Sequence, residues 1–420
     1  MQPERRRQLH HAASEGRSKR VAEGVIDSPA GKRGRVLSLL HVIASARLEA
    51  GGPIEGVRQR ARALRELGCE TELVCLDAPD EVDAEAIGMP VHALGPSRGS
   101  YRANGRIVPW LREHAHRFDA VTVHGIWQQH DLAAWRALRH GPVPYFVFPH
   151  GMLDPWFKRT YPLKHLKKCL YWPWQHRVLA DARAVLFTCE EERLLARQSF
   201  RPYRVREAVV QYGTAAPEGD PAAQREAFLQ AFPKARGRRL LLFLSRIHPK
   251  KGCDLLLDAW AEAARSRPDW LLAMAGPDQV GWQAELQARA ERLGVADRVL
   301  WTGMLKGDLK WGAYCLAEAF VLPSHQENFG IAVAEALACG LPVLITDKVN
   351  IWREIDGDGC GLVGSDDAEG VRGLLERFFA LAPEEAAAMG RRARETFDRR
   401  FEIRASARSL LETVGRLRSS

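Results

Sequence analysis

The 420-residue chain has no apolar stretch approaching the roughly 20 residues needed to cross a bilayer. Its longest runs, Val36 to Ala46 and Leu240 to Leu244, are strand-length. An apolar signal core is also missing. Arg5, Arg6, Arg7, Arg17, Lys19 and Arg20 stand instead among little that could be buried, so 1–34 reads as a disordered basic leader and a cytoplasmic location is expected. The eight cysteines form no CxxC pair, and no histidine stands at zinc-ligand spacing, which leaves reduced, structural thiols as the reading. No short repeat is present, which argues against a solenoid or a propeller. Aromatic RNA-binding motifs and a basic recognition helix are lacking too. A nucleic-acid-binding reading therefore rests only on the net charge of +9, which calls for an anionic partner without naming it.

What is present is an ordinary globular composition, 46% hydrophobic and 27% charged, in a chain long enough for two domains. Strands are predicted at Arg35 to Ile43, Glu70 to Leu76, Ala120 to Val123, Tyr145 to Phe148 and Ala184 to Thr188. After a turn-rich stretch at Gly213 to Gly219 they resume at Leu240 to Ser245, Trp270 to Ala275, Val299 to Thr302, Ala319 to Leu322 and Val343 to Thr346. Helical patterns fill most of the gaps, as in parallel sheets covered on both faces. The fold class is thus α/β, with two Rossmann-like doubly wound domains, 35–212 and 213–395, facing a central cleft. The segment Pro383 to Leu417 is helical in pattern, and its end, 396–420, is read as a helix able to pack back on the N-terminal domain.

Two clusters carry chemistry. Ser245-Arg-Ile-His-Pro-Lys-Lys-Gly252 follows a strand and precedes the helix Cys253 to Ala264, which puts Arg246 and Lys251 where a diphosphate could be met. The second, Pro323 to Pro342, holds Glu327 and Glu335. With a helix starting near Gly330, both carboxylates can face one ligand and accept from sugar hydroxyls. The backbone N–H groups of Asn328, Phe329, Gly330 and Ile331 would then point at an anion. No metal is needed in this arrangement. In the N-terminal half, Gly51 and Gly52 follow the first strand, and His124 and His150 each end one.

The order Arg246, Lys251-Gly252, Gly276-Pro277, Pro323-Ser324, Glu327 and Glu335 resembles glycosyltransferase family 4, a group of retaining enzymes with the GT-B fold. The resemblance implies transfer of a hexosyl group from a nucleotide-diphosphate-sugar donor, with no cofactor. In the family's terms Arg246 and Lys251 bind the donor diphosphate, Glu335 the ribose and Glu327 the transferred sugar. Gly51 and Gly52 are similar to the family's glycine loop beneath the donor. His150, with His124 beside it, matches the histidine placed near the reacting sugar on the acceptor side. Tyr212-Gly213-Thr214 departs from the family's Asn-Gly-Val. The implied acceptor is a saccharide or lipid-linked saccharide of a bacterial surface polymer. A sugar-nucleotide epimerase on the same fold is the alternative enzyme.

Two further features stay open at the level of sequence. Trp156 to Arg183 holds seven Lys or Arg against one acidic residue, Asp181, with Leu163, Leu166 and Leu170 on one helix face. That suits an anionic membrane on the inner face of the plasma membrane, or equally a solvated helix lying over a core. Asp356-Gly-Asp358 has the form of a divalent-ion motif but reads as a glycine-rich turn.

Overall fold

The computed structural model describes residues 37–48 and 52–418. The basic leader and Gly51 lie outside the described residues.

Two parallel sheets organise the chain. The first contains β1 (Leu37–Ile43), β2 (Cys69–Cys75), β3 (Val91–Ala93), β4 (Ala120–His124), β5 (Tyr145–Phe148), β6 (Ala184–Phe187) and β7 (Glu207–Val209), in the order β3-β2-β1-β4-β5-β6-β7. The second contains β8 (Arg239–Leu244), β9 (Trp270–Ala275), β10 (Val299–Gly303), β11 (Ala317–Leu322), β12 (Val343–Thr346) and β13 (Gly361–Gly364), in the order β10-β9-β8-β11-β12-β13. Central strands such as β4, β5, β9 and β12 are buried at every position, so their sequences are apolar or small runs, broken only by His124 at the end of β4. In each sheet the strand order reverses beside the first strand, between β1 and β4 and between β8 and β11. A crevice opens at the carboxyl ends of strands at such a switch point. His124 ends β4, and the loops after β8 and β11 carry Lys251 and Glu327.

The helix Gly52–Glu66 lays Ile54, Val57, Ala61 and Leu64 on one buried face, a helical repeat that meets the first sheet. The C-terminal segment does not run as one helix. It breaks into Pro383–Thr396, a π turn at Phe397–Phe401, and Ile403–Arg418. Ile403, Ala407, Leu410 and Val414 of the last helix join Leu39, Leu64, Phe146, Phe148 and Leu186 in one core cluster of the first sheet. The chain thus returns to complete the core that its N-terminal half began. The return crosses the interdomain strand tightly: Thr214 N–H donates to the Phe401 carbonyl at 2.9 Å, and a Cβ on Gly213 would lie 2.3 Å from that oxygen.

Asp356-Gly-Asp358 is the last turn of the helix Trp352–Asp358, so the turn falls one residue later than the sequence suggested, at Gly359 with φ 60°. The Asp358 carboxylate is gripped by Arg400, Arg399 and Thr396, which hold it down to about pKa 2.

Since Leu410 is fully buried, Leu410→Ala should cost about 2–5 kcal/mol of stability, measured by urea unfolding. A loss below about 1 kcal/mol would mean the last helix is not part of the N-terminal core.

Candidate active site

The loop after β8 turns back sharply enough to bury a lysine. Gly252 sits at φ 65°, where a Cβ would come within 2.1 Å of the Pro323 carbonyl oxygen, and that close approach carries Lys251 against the loop after β11. Lys251 is 3% exposed and pairs with Glu327 Oε2. Burial works to raise the Glu327 carboxyl, but Lys251, with Lys250 and Arg246 behind it, holds it below the usual range. Arg246 stays exposed, its Nη1 donating to Gln279 Oε1 at 2.8 Å, and is open to meet a ligand.

Glu335 lies in the second turn of the helix Ile331–Ala338 and is 5% exposed. Its oxygens are both engaged: Lys310 Nζ donates to Oε1 at 2.7 Å and Tyr314 OH to Oε2 at 3.1 Å. Burial, reinforced by the Glu335 charge, pushes the Tyr314 hydroxyl well up, so it remains a donor. Lys310 and Tyr314 escaped the sequence reading. Their spacing of four on the helix Gly307–Leu316 puts them on one face, the only signal they give.

Between the two carboxylates, Gly330 caps the helix at φ 75°. The N–H groups of Gly330 and Ile331 find no acceptor among the described residues, which suits an anion there. The Phe329 N–H likewise finds no acceptor among the described residues, whereas Asn328 serves differently from expectation. The Asn328 N–H donates to Glu327 Oε1 at 3.1 Å, because Lys251 occupies only the other oxygen of that carboxylate. Its side chain crosses to the first domain, where Nδ2 donates to Thr188 Oγ1 at 3.1 Å. Phe329 is buried edge-on against Tyr212 and Phe401 and packs the domain junction. Tyr212, the departure from the family motif, is therefore a packing residue, also edge-on to His150.

The opposite wall comes from the first domain. Gly52 is the first residue of its helix, and a Cβ there would lie 3.8 Å from Ile331 Cδ1 across the cleft. His150 follows β5 with φ 48°, a left-handed conformation unusual outside glycine. Gly151 behind it donates its N–H to the buried Glu192 at 2.6 Å, and a Cβ on Gly151 would strike Asn328 at 2.8 Å. His150 therefore stands where the two domains meet. His124 does not share that position. It is 3% exposed and lies behind His150, with Nδ1 3.1 Å from His150 Nε2, its ring packed against both Phe148 and His150 rather than turned to the cleft. The first and second domains are also joined by Gln326 Nε2 donating to Asp154 Oδ2 at 3.0 Å.

Two family models match in tandem: the glycosyl transferase 4-like domain over residues 51–213 and glycosyl transferases group 1 over residues 224–396. The chain belongs to the group 1 glycosyltransferases. It is 37% identical over 197 residues to a D-inositol 3-phosphate glycosyltransferase of Segniliparus rotundus, covering 46% of this chain and 42% of that protein. It is 30% identical over 172 residues to the lipopolysaccharide core biosynthesis mannosyltransferase LpsB of Rhizobium meliloti, 39% of this chain and 48% of that one. The chain thus spans about half the length of the curated relatives it matches. Among solved structures, Anabaena HepE in complex with UDP and glucose superposes with a TM-score of 0.69 at 18% identity, covering 90% of this chain and 99% of that one. Sucrose-phosphate synthase from Thermosynechococcus elongatus gives 0.71 at 18%, covering 91% and 99%. The group 1 glycosyltransferase fold, GT-B, is that of this chain.

Burial, and then the charge of Arg60, lowers the His150 pKa to about 3. The ring should therefore take up no proton between pH 8 and pH 5, as read by imidazole NMR shifts. The unfolded chain binds that proton from about pH 6.5. His150 accordingly contributes stability above that pH, lost as pH falls toward 3. A His150 titration midpoint near 6.5 in the folded protein would contradict the burial argument.

Proposed function

We propose that this chain is a retaining glycosyltransferase that transfers a hexosyl group from a nucleotide-diphosphate sugar to a saccharide or lipid-linked saccharide in surface polysaccharide synthesis. The observation that carries the donor half is the pairing of a buried carboxylate, Glu335, and a half-buried one, Glu327, with cations on either side of a helix start whose N–H groups are open. Glu335, braced by Lys310 and Tyr314, is placed to accept from the ribose hydroxyls. Glu327, steadied by Lys251, meets the transferred sugar. Charge that builds on the departing diphosphate is met by Arg246, Lys251 and the N–H groups of Gly330 and Ile331. These are fixed groups in a cleft, the arrangement that stabilises a leaving anion most effectively. Metal independence is part of the proposal, and retention comes from the family. His150 contacts the sugar from the acceptor side, and the leaving diphosphate accepts the acceptor's proton. UDP in the HepE structures supports a nucleotide-diphosphate in this fold.

Arg246 isolates the donor claim because its exposed side chain can be removed without unpairing a buried group. Arg246→Ala should weaken nucleoside-diphosphate binding roughly 10- to 100-fold by calorimetry, the worth of a charge-assisted hydrogen bond, with unfolding unchanged. Unaltered affinity would remove Arg246 from the site.

The membrane contact belongs to the same proposal. The helix Pro162–Ala180 buries Trp172, Gln175, Val178 and Leu179. Leu163, Leu166, Leu170, Tyr171 and Trp174 are left outward, Leu163 being 82% exposed. The leucine face is therefore not covering a core. Lys164 and Lys167 lie beside it, while Lys168 sits over Trp127 and Lys250 of the second domain over Trp156 and Phe157. Apolar side chains ringed by lysine suit an anionic bilayer surface, which supports a peripheral position on the cytoplasmic face of the plasma membrane. No helix among the described residues is long and apolar enough to cross one. Co-sedimentation with phosphatidylglycerol vesicles should exceed that with phosphatidylcholine several-fold, and Leu166→Ser with Trp174→Ser should abolish the excess. Equal binding to both vesicles, or no effect of the pair, would refute the contact.

A further inference from the structure

Behind His150 the rings continue inward. His124 Nε2 lies 3.1 Å from His41 Nδ1, and His41 Nδ1 lies 2.7 Å from Thr122 Oγ1. His41 and Thr122 are fully buried in the central strands β1 and β4. Three imidazoles thus run end to end from the middle of the first sheet to the cleft. Nitrogen faces nitrogen at each junction, so each junction holds one proton and one lone pair. Once the proton of the innermost ring is placed, every other proton in the row is placed with it.

The surroundings decide the direction. Among the described residues His41 Nε2 is buried without a partner, and so is Nη2 of Arg60, the one guanidinium there whose charge acts on His41, His124 and His150 alike. An N–H at His41 Nε2 would be an unpaired buried donor in the field of a cation. A lone pair there is attracted to that cation instead. The proton of His41 therefore sits on Nδ1, where it is shared between His124 Nε2 and the Thr122 oxygen. The Thr122 hydroxyl is then free to donate to the Leu40 carbonyl at 3.4 Å. His124 accepts at Nε2 and donates from Nδ1 to His150 Nε2. His150 must then carry its own proton on Nδ1, the nitrogen with no protein partner among the described residues.

We propose that His41 is a positioning residue that sets this order, so that the half-buried His150 presents an N–H donor, and not a lone pair, to the sugar or acceptor oxygen in the cleft. The inference rests on the reading that His150 contacts the reacting sugar. It adds what that contact is, a neutral donor held in one tautomer, and assigns its control to a residue two rings away that touches no substrate. His130 and Asp131 flank the row from the helix Gln129–Leu138. His130 Nε2 donates to the His124 carbonyl at 2.9 Å, which fixes the backbone from which the middle ring projects.

The test reads tautomers directly. In full-length protein labelled with 15N-histidine, with the His150 signals assigned by their loss in His150→Gln, the wild type should show His150 protonated at Nδ1 alone. His41→Leu removes the inner donor. It should mix the two tautomers of His150 and lower kcat roughly tenfold while donor KM stays within about twofold. His41→Asn keeps an N–H near the Nδ1 position and should restore both readouts. A wild-type spectrum with His150 protonated at Nε2 overturns the proposal without any variant having to fold, as does a His41→Leu protein with unchanged tautomer and kcat. Full turnover in His150→Gln overturns the sugar-contact reading instead, whatever the spectrum shows.

Discussion

A buried lysine and the half-buried glutamate it pairs with, beyond the ends of two adjacent strands, set the terms for the rest of the second domain. Lys251 is nearly inaccessible, and an ammonium taken out of water without a partner would be far too costly to keep charged. Its pairing with Glu327 requires the loops after β8 and β11 to meet at backbone distance. Gly252 permits that approach at Pro323, and Gly276 permits the matching approach of β9, where a Cβ would come within 1.8 Å of the Ser245 carbonyl oxygen. The parallel bridge between Glu327 and Val349 then fixes the backbone from which the helix Ile331–Ala338 departs. Glu335 and the open N–H groups inherit their positions from that start. The pair is thus structural and chemical together, and removing either partner would disturb both roles.

The two domains are held by buried polar contacts as well as by packing. Asn328 with Thr188 and Gln326 with Asp154 each cross the cleft, and Glu192 supports the first wall by accepting from Gly151, Thr188 N–H and the Thr188 hydroxyl. Burial pushes the carboxyls of Glu192 and Asp154 up, while the N–H groups around them pull the other way. Separating the walls would leave these groups in need of water, so the cleft has a defined closed arrangement with ready replacements on opening.

What could be read in the sequence follows from burial. β5, β9 and β12 have the bounds expected of them because a strand covered on both faces is an uninterrupted apolar run between turns. The strands that went unseen, β3, β7 and β13, are all sheet edges. There, half-exposed polar residues such as His92 and Glu207 break the run, so no period survives in three or four residues. The same logic governs the site. Glu335 stands out because charge is conspicuous among Ala, Val and Leu, and Arg246, Lys251 and Glu327 because they fall in the polar loops that follow buried strands. Lys310 and Tyr314 look like ordinary helix residues, and only the fold shows that their face meets Glu335. His124 shows the converse failure. A histidine at a strand end looks like a cleft residue, and only its burial behind His150 reveals that it stands one layer back.

Arg60 joins these levels in one side chain. It is 1% exposed and has no carboxylate partner among the described residues; its Nε donates to Ser406 Oγ at 3.1 Å, and its guanidinium lies over the rings of Tyr212 and Phe148. Aromatic faces and a hydroxyl offset only part of the desolvation of a guanidinium, and burial accordingly lowers its pKa. A cation kept at that cost acts at long range where the dielectric is low, and the groups it acts on are the three imidazoles beside it. It opposes protonation of each of them, so the row stays neutral and its protons are free to be ordered. Because Ser406 belongs to the last helix, the segment that closes the core of the first domain also supplies the hydroxyl that holds this cation. The C-terminal return of the chain is therefore part of the site's electrostatics as well as of its packing.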